Sequence, residues 1–419
     1  MNDEAWLWRT LVIVVASGAT LGLVVRTGLA WITCRHAARR RPELVCAPGL
    51  SVFKPLCGLD PGLEDNLRAL LLQDYPGMRD GGVQVIFGVT SPTDPALAVA
   101  RRLASSFPAA DIAVVVGDPD AAKNPKVANL LGMAPHARHG LWLVSDSNVR
   151  VAPGYLRDMV ATLQLRDVGL VANLVVAGDG RGLGSVFEQL QLGGIIAAGV
   201  AAGDLIGHPC VIGKSMLLRR DDLSALGGLR AFGDVLGEDY VMGQAFARAG
   251  LGVEISSHVV HAEGGAWSLR RFGARHLRWC QMRRWIAPTA YAFEPLLMPS
   301  AWALALLVLA FVPAAWAGQA AVSPMGLGAL AVLGLAIACA IEGVQARALH
   351  HARPSWRRLL ATPLKDLAML ALWLAAWVIR GVHWRGHDFR IGPGSRLVDA
   401  HATEVLEPFL APSPGEALP

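Results

Sequence analysis

At 419 residues, 53% hydrophobic and 17% charged, the chain is too apolar for an ordinary soluble enzyme and long enough for one large domain plus membrane segments. A net charge of +5, with arginines in blocks beside apolar stretches, fits anionic lipid headgroups, and no aromatic-basic motif points to nucleic acid. The six cysteines (Cys34, Cys46, Cys57, Cys210, Cys280 and Cys339) form no CxxC pair, which argues against a zinc site or a disulfide framework and for thiols in a reducing compartment.

Residues 11–31 form a mostly apolar run long enough to span a bilayer. Arg26 is its one charge and is expected to snorkel to the interface. Asp3 and Glu4 precede the run, and Arg35, Arg39, Arg40 and Arg41 follow it. The positive-inside rule therefore places the N-terminus outside and the following chain in the cytoplasm, with a bacterial inner membrane as the expected location. A signal peptide would carry its basic cluster ahead of the apolar run. Residues 1–34 are accordingly an anchor.

Residues 48–290 read as a soluble α/β domain. Apolar, β-branched runs at 50–54, 83–89, 112–116, 141–145 and 168–173 alternate with helical spacing at 63–73, 95–106 and 153–163. Such alternation predicts a largely parallel sheet covered by helices, with ligands beyond the carboxyl ends of the strands. Residues 190–205 are apolar and rich in Gly and Ala but interrupted by Asp204, so they form either an interfacial element or a buried helix. A membrane region follows over 291–395. Runs at 296–317 and 325–341 are spanning candidates, with Pro299, Pro313 and Pro324 near their ends. The run at 367–379 is shorter and either spans, re-enters or lies in the interface. Arg380, Arg385, Arg390 and Arg396 favour a cytoplasmic tail, whereas a full third crossing would put it outside. The tail itself, 396–419, ends in a Pro- and Ala-rich stretch that reads as disordered.

Four places carry residues suited to chemistry. Asp146 opens Asp146-Ser147-Asn148 at the end of an apolar strand, where a carboxylate is costly unless it binds something. It either holds a divalent metal on a diphosphate or makes a turn. Asp94, followed by Pro95, either contacts a nucleotide or caps a helix. Glu238-Asp239-Tyr240 stands at a helix start, where acids suit the macrodipole, or where Asp239 serves as a general base. Arg275 and Arg278 share a helix face beside Trp279, as a diphosphate clamp or as an interfacial belt. The division expected is Arg275, Arg278 and Trp279 in a site, with Arg270, Arg271, Arg283, Arg284 and Trp285 at the membrane.

Taken in order, these pieces resemble the ceramide glucosyltransferase family, whose catalytic domain has the GT-A nucleotide-sugar fold. The resemblance rests on Lys54-Pro55-Leu56-Cys57-Gly58, Gln73-Asp74-Tyr75-Pro76, Asp94-Pro95, Asn124-Pro125-Lys126, Ser145-Asp146-Ser147-Asn148-Val149-Arg150-Val151, Glu238-Asp239-Tyr240 and Arg275-His276-Leu277-Arg278-Trp279, across roughly residues 48–290. It implies an inverting transfer of glucose from UDP-glucose to the primary hydroxyl of ceramide, with Mg²⁺ or Mn²⁺. It also implies roles for the residues: Asp94 on the nucleotide, Asp146 at metal and diphosphate, Asp239 as base, Arg275, Arg278 and Trp279 as the terminal motif, and Lys126 and Cys210 on the substrate side. Two positions depart from the family pattern: Ser91 stands where members often carry an acid, and Ile196 where animal members carry a histidine upstream of the cysteine matching Cys210. Hopanoid and diacylglycerol are alternative acceptors, and a polysaccharide synthase or a non-catalytic membrane scaffold are alternative functions.

Overall fold

The computed structural model describes residues 3–78, 80–311, 323–350, 354–384 and 387–399. Strands β1 (Leu50–Pro55) and β2 (Val83–Val89) are mostly apolar and buried at every position, as strands covered on both faces are. Helices α2 (Leu63–Leu71) and α3 (Ala96–Ser106) connect them to β3 (Asp111–Val116). Helix α4 (Pro125–Met133) follows, capped by the Asn124 side chain, which accepts from the amides of Lys126 and Val127. Then come β4 (Leu141–Ser145), β5 (Val149–Arg150), α5 (Tyr155–Leu163) and β6 (Val168–Ala177). The eight strands run in the order β3-β2-β1-β4-β7-β6-β8-β5, with β7 at Ser215–Arg219 and β8 at Gly252–Ala262.

One half of the sheet, β3-β2-β1-β4, is parallel as expected. The other half is mixed. β7 lies antiparallel to both β4 and β6, and β5 is antiparallel to β8. The antiparallel register pairs Ser145 with Ser215. It therefore sets Asp146, just past β4, beside Lys214, just before β7; a parallel β7 would carry Lys214 to the opposite edge.

Residues 183–205 form one apolar helix in two parts, α6 (Leu183–Leu190) and α7 (Ala197–Leu205), joined by a π-helical turn at Gln191–Ile196. Helices α8 (Arg220–Ala225), α9 (Glu238–Arg248), α10 (Leu269–Ile286) and α11 (Pro288–Ala292) complete the passage to the membrane region. There stand α12 (Pro299–Ala310), α13 (Pro324–His350), the short α14 (Trp356–Leu359) and α15 (Thr362–Val378). The span expected over 296–317 includes 312–317, which lie outside the described residues, as does Pro313. Among the described residues four helices are long and apolar enough to cross a membrane: Trp6–Ala37, Leu183–Leu205, Pro324–His350 and Trp356–Val378. In the second, 67% of the apolar window is buried inside the protein, against 33% in each of the others, so it packs as a core helix.

Helix α1 (Asp3–Ala37) lies against α12 closely enough that a side chain at Gly18 would strike the Trp302 ring at 2.7 Å. Arg26 does not snorkel. It is 2% exposed and bonds Glu342 of α13 at 2.7 Å, because in a helix bundle a buried partner replaces the water a guanidinium would seek. Beyond α1, Arg39 bonds Asp204 at 2.7 Å and Arg41 bonds Asp158 at 2.8 Å, so part of the basic block docks the catalytic domain.

Helix α15 packs along α10. Before it, Arg358 reaches Asp179 at 3.4 Å, and after it the Ile379 carbonyl accepts from Gln281 at 2.7 Å. A three-stranded antiparallel sheet follows: β9 (Gly381–Trp384), β10 (His387–Ile391) and β11 (Leu397–Asp399). Residues 397–399, expected to belong to a tail, are thus ordered in a sheet. Residues 400–419 of that tail, and Arg385, lie outside the described residues.

Candidate active site

The carboxyl ends of β1 and β4, the entry to β7, the start of α9 and one face of α10 enclose a cleft of about 450 Å³. Lys126, Asp146, Asp239, Arg275, Arg278 and Trp279 all line it, drawn together from four separate segments.

Asp146 is held by two ammonium groups, Lys126 at 3.1 Å and Lys214 at 2.8 Å. Burial would raise its carboxyl, but the two lysines outweigh burial and hold it well below the usual carboxylate range. Lys214 also donates to Asn148 Oδ1 at 2.8 Å. Lys126 donates to the Gly213 carbonyl at 2.7 Å and pairs with Glu238 at 3.1 Å. Burial opposes its charge, but Asp146, Glu238 and Asp239 together keep it above its ordinary value. Beneath them Lys54 is fully buried and donates to Ser145 Oγ at 3.0 Å and the Asp146 carbonyl at 2.9 Å. Burial pushes its ammonium down to about 7, against the pull of Asp146.

Asp239 accepts from the Gly213 amide and, at 2.8 Å, from the Tyr240 amide. Burial, then repulsion from Glu238, pushes its carboxyl up to about 6, with Lys126 opposing. A carboxylate so tuned is charged at neutral pH yet basic enough to take a proton. Its neighbour Glu238 is 5% exposed and fixed by Asn124 Nδ2 at 3.1 Å as well as by Lys126. Gly213 is required here: an added Cβ would stand 2.7 Å from Lys126 Nζ and 2.8 Å from Asp239 Oδ2.

Across the cleft, α10 presents Arg271, Arg275 and Arg278 on one face, at the spacing that aligns side chains on a helix. Arg275 lies 4.4 Å from the ring centre of Trp279 and 5.3 Å from that of Trp267. Glu188 of α6, 3% exposed, fixes Arg275 at 2.8 Å and His276 at 2.8 Å. The expected division of the segment changes in two places. Arg271 lines the cleft, one helical turn before Arg275. Arg283 bonds Glu294 at 2.5 and 3.0 Å, since a half-buried carboxylate of the same chain lies within reach.

Asp94 and Cys210 do not line this cleft. Asp94 accepts from the Gly58 amide with both oxygens at 3.0 Å and from the Ala96 amide at 2.8 Å, which ties the end of β1 to the start of α3. Cys210 sits behind Asp239, where burial, reinforced by the Asp239 charge, pushes its thiol up to about 11. A thiol in that state is no nucleophile at neutral pH. Lys214, Glu188, Trp267 and Trp384 join the site without having been singled out, and Lys54, quoted only within a motif, lies beneath it. One signal was available: the chain has five lysines, and three of them, Lys54, Lys126 and Lys214, surround Asp146.

A mixed sheet in this order, with acids and ammonium groups at the strand ends, makes the chain an α/β protein of the GT-A type. The mannosyltransferase of Pyrobaculum calidifontis, solved with GDP-mannose and Mn²⁺, superposes with a TM-score of 0.50 at 19% identity, covering 88% of this chain and 99% of that one. The model of glycosyl transferase family 21 matches residues 11–397, and the chain belongs to that family. Ceramide glucosyltransferase 1 of Caenorhabditis elegans is 29% identical over 262 residues, 62% of this chain and 54% of the relative. The ceramide glucosyltransferase of Komagataella phaffii is 26% identical over 307 residues, 59% of each chain. This chain therefore spans just over half the length of the first relatives it matches.

Proposed function

We propose that this chain transfers glucose from UDP-glucose to the primary hydroxyl of ceramide at a membrane surface, with inversion at the anomeric carbon. The observation that carries the reading is Asp239, a carboxylate raised to about 6, facing a row of guanidinium groups across the cleft. The acceptor hydroxyl gives its proton to Asp239 as its oxygen bonds the anomeric carbon. The bond from that carbon to the diphosphate breaks in the same displacement, and UDP leaves with the electron pair. Arg275, Arg278 and Lys214 take up the charge that develops on the leaving diphosphate. The stacked Trp267 and Trp279 keep the Arg275 fork fixed in direction.

The donor set suits a metal carried in with the substrate. Among the described residues no three His, Cys, Asp or Glu side chains converge on one point. Mg²⁺ or Mn²⁺ on a diphosphate needs only one or two protein carboxylates, and Asp146 supplies one. Bound there, the ion would neutralise the diphosphate. Asp94, too far back to line the cleft, would serve the nucleotide side by holding the Gly58 loop. Arg35 and Arg40, with the arginines that dock the domain, favour a cytoplasmic catalytic domain in a bacterial inner membrane.

Purified protein given UDP-glucose and separate vesicles of ceramide, hopanoid and diacylglycerol tests the reading by mass spectrometry of the lipids. A β-hexosylceramide is the expected product. Glycosylation of either other lipid with ceramide untouched would move the acceptor and leave the chemistry; no product from any lipid would remove the reading.

A further inference from the structure

The C-terminal sheet lies almost 150 residues from Asp239 in the chain, yet it grips the loop that carries this residue. The Leu236 amide donates to the Ser395 carbonyl at 2.8 Å, and the Gly237 amide to Ser395 Oγ at 3.1 Å. The Leu397 amide donates to the Asp234 carbonyl at 2.7 Å, and Val235 forms a bridge with Arg396. The remaining loop carbonyl, that of Val235, accepts from Asn124 Nδ2 at 2.7 Å. Asp239 follows two residues after Gly237, so the direction of its carboxylate depends on these bonds. Ser395 is fully buried and holds a left-handed backbone, φ +64°, in a turn shaped to offer both its oxygens to the loop. A small apolar core of Leu236, Val382, Phe389, Ile391 and Leu397 seals the contact. From the near edge of the same sheet Trp384 lines the cleft, its ring centre 5.8 Å from the Arg278 guanidinium.

We propose that residues 381–384 and 387–399 are a working wall of the active site, in which Ser395 positions the loop that aims Asp239 and Trp384 contacts the hexose-diphosphate end of a nucleotide-sugar. An aromatic ring beside a guanidinium offers an apolar face to a sugar ring and fixes the fork that meets its phosphates. The assignment of Trp384 rests on the nucleotide-sugar reading above; the tether made by Ser395 does not.

The two parts are tested with the full-length protein in detergent. In Ser395→Ala, amide exchange across residues 234–240 should accelerate about tenfold while exchange elsewhere and the melting temperature stay near wild type. Its turnover should fall about tenfold with donor KM within twofold, as expected of a displaced base. Trp384→Ala should instead raise donor KM about tenfold, with Trp384→Phe recovering most of the loss. Unchanged exchange and unchanged turnover in Ser395→Ala overturn the tether. Wild-type donor KM in Trp384→Ala overturns the wall contact. Calorimetry separates the underlying reading: wild-type protein that binds no UDP removes the donor assignment and with it the role of Trp384, while the exchange result still decides the tether.

Discussion

Ion pairs of similar length occur in two buried places with different surroundings. In the cleft, Lys214 meets Asp146 at 2.8 Å; in the helix bundle, Arg26 meets Glu342 at 2.7 Å and Lys365 meets Asp366 at 2.6 Å. The Asp146 side chain remains 22% exposed and opens on a cavity, whereas those of Glu342 and Asp366 are 5% and 3% exposed. The bundle charges join α1, α13 and α15, and the Ser300 amide of α12 adds a bond to Asp366 at 3.3 Å. Access decides what each cluster can do. A ligand phosphate or cation can displace a partner in the cleft, where water and substrate reach it. In the bundle no such replacement is at hand, so the pairs act as a register for the helices.

The comparison can be broken from either side. The largest effect is expected at Asp239→Asn, which keeps the size and removes the base; turnover should drop on the order of 10²–10⁴ while UDP affinity by calorimetry stays nearly constant. Wild-type turnover in that variant would mean the cleft charges are structural after all. Asp146→Asn comes next. Turnover should fall about a hundredfold with the protein still folded, and excess chelator should abolish wild-type activity, as expected if a substrate-borne cation meets this carboxylate. Full activity in chelator would return Asp146 to a purely ionic role with Lys126 and Lys214.

In the bundle, Glu342→Gln should cost stability and not specificity: about 3–5 kcal/mol, read as a lowered unfolding midpoint in detergent, because Arg26 loses its partner without gaining water. The double change Arg26→Met with Glu342→Met should recover much of that loss. If the double variant keeps its midpoint but loses transfer activity, the bundle pair belongs to function. The smallest effect is the pH profile. Asp239 gains its proton as pH falls through about 6, so turnover should plateau above that value and decline below it. Glu238→Gln removes one charge that raises Asp239, so the acid limb should move to lower pH. A limb that stays put would assign it to another group.

Sequence reading located the parts that depend on local pattern. Val83–Val89 and 141–145 coincide with β2 and β4 because each is a mostly apolar run buried along nearly all its length. The acids at strand ends were visible for the same reason, since a carboxylate after such a run stands out. β7 was missed: its five residues, Ser215–Arg219, follow a glycine-rich stretch without a preceding helix-strand rhythm, and its direction depends on a pairing with β4 that lies 70 residues upstream. Lys214 inherits its place from that register. Glu188 stands just ahead of the apolar run read at 190–205, on a segment that carried no motif of its own. Trp384 was beyond reach for a different reason, since membrane helices separate it from the domain it joins.

The docking of β11 on the loop before α9 also carries a rule of parity. Trp384 and Asp239 share one cavity, so the polypeptide leaving α10 must come back to the side it left. Any crossings of a bilayer between Ile286 and Gly381 must therefore come in pairs. Arg358, ahead of α15, bonds Asp179, and the Ile379 carbonyl, just after it, accepts from Gln281, so both flanks of this helix meet the domain. An impermeant thiol reagent applied to sealed vesicles would read this directly: single cysteines placed at 45 and at 399 must react, or stay protected, together.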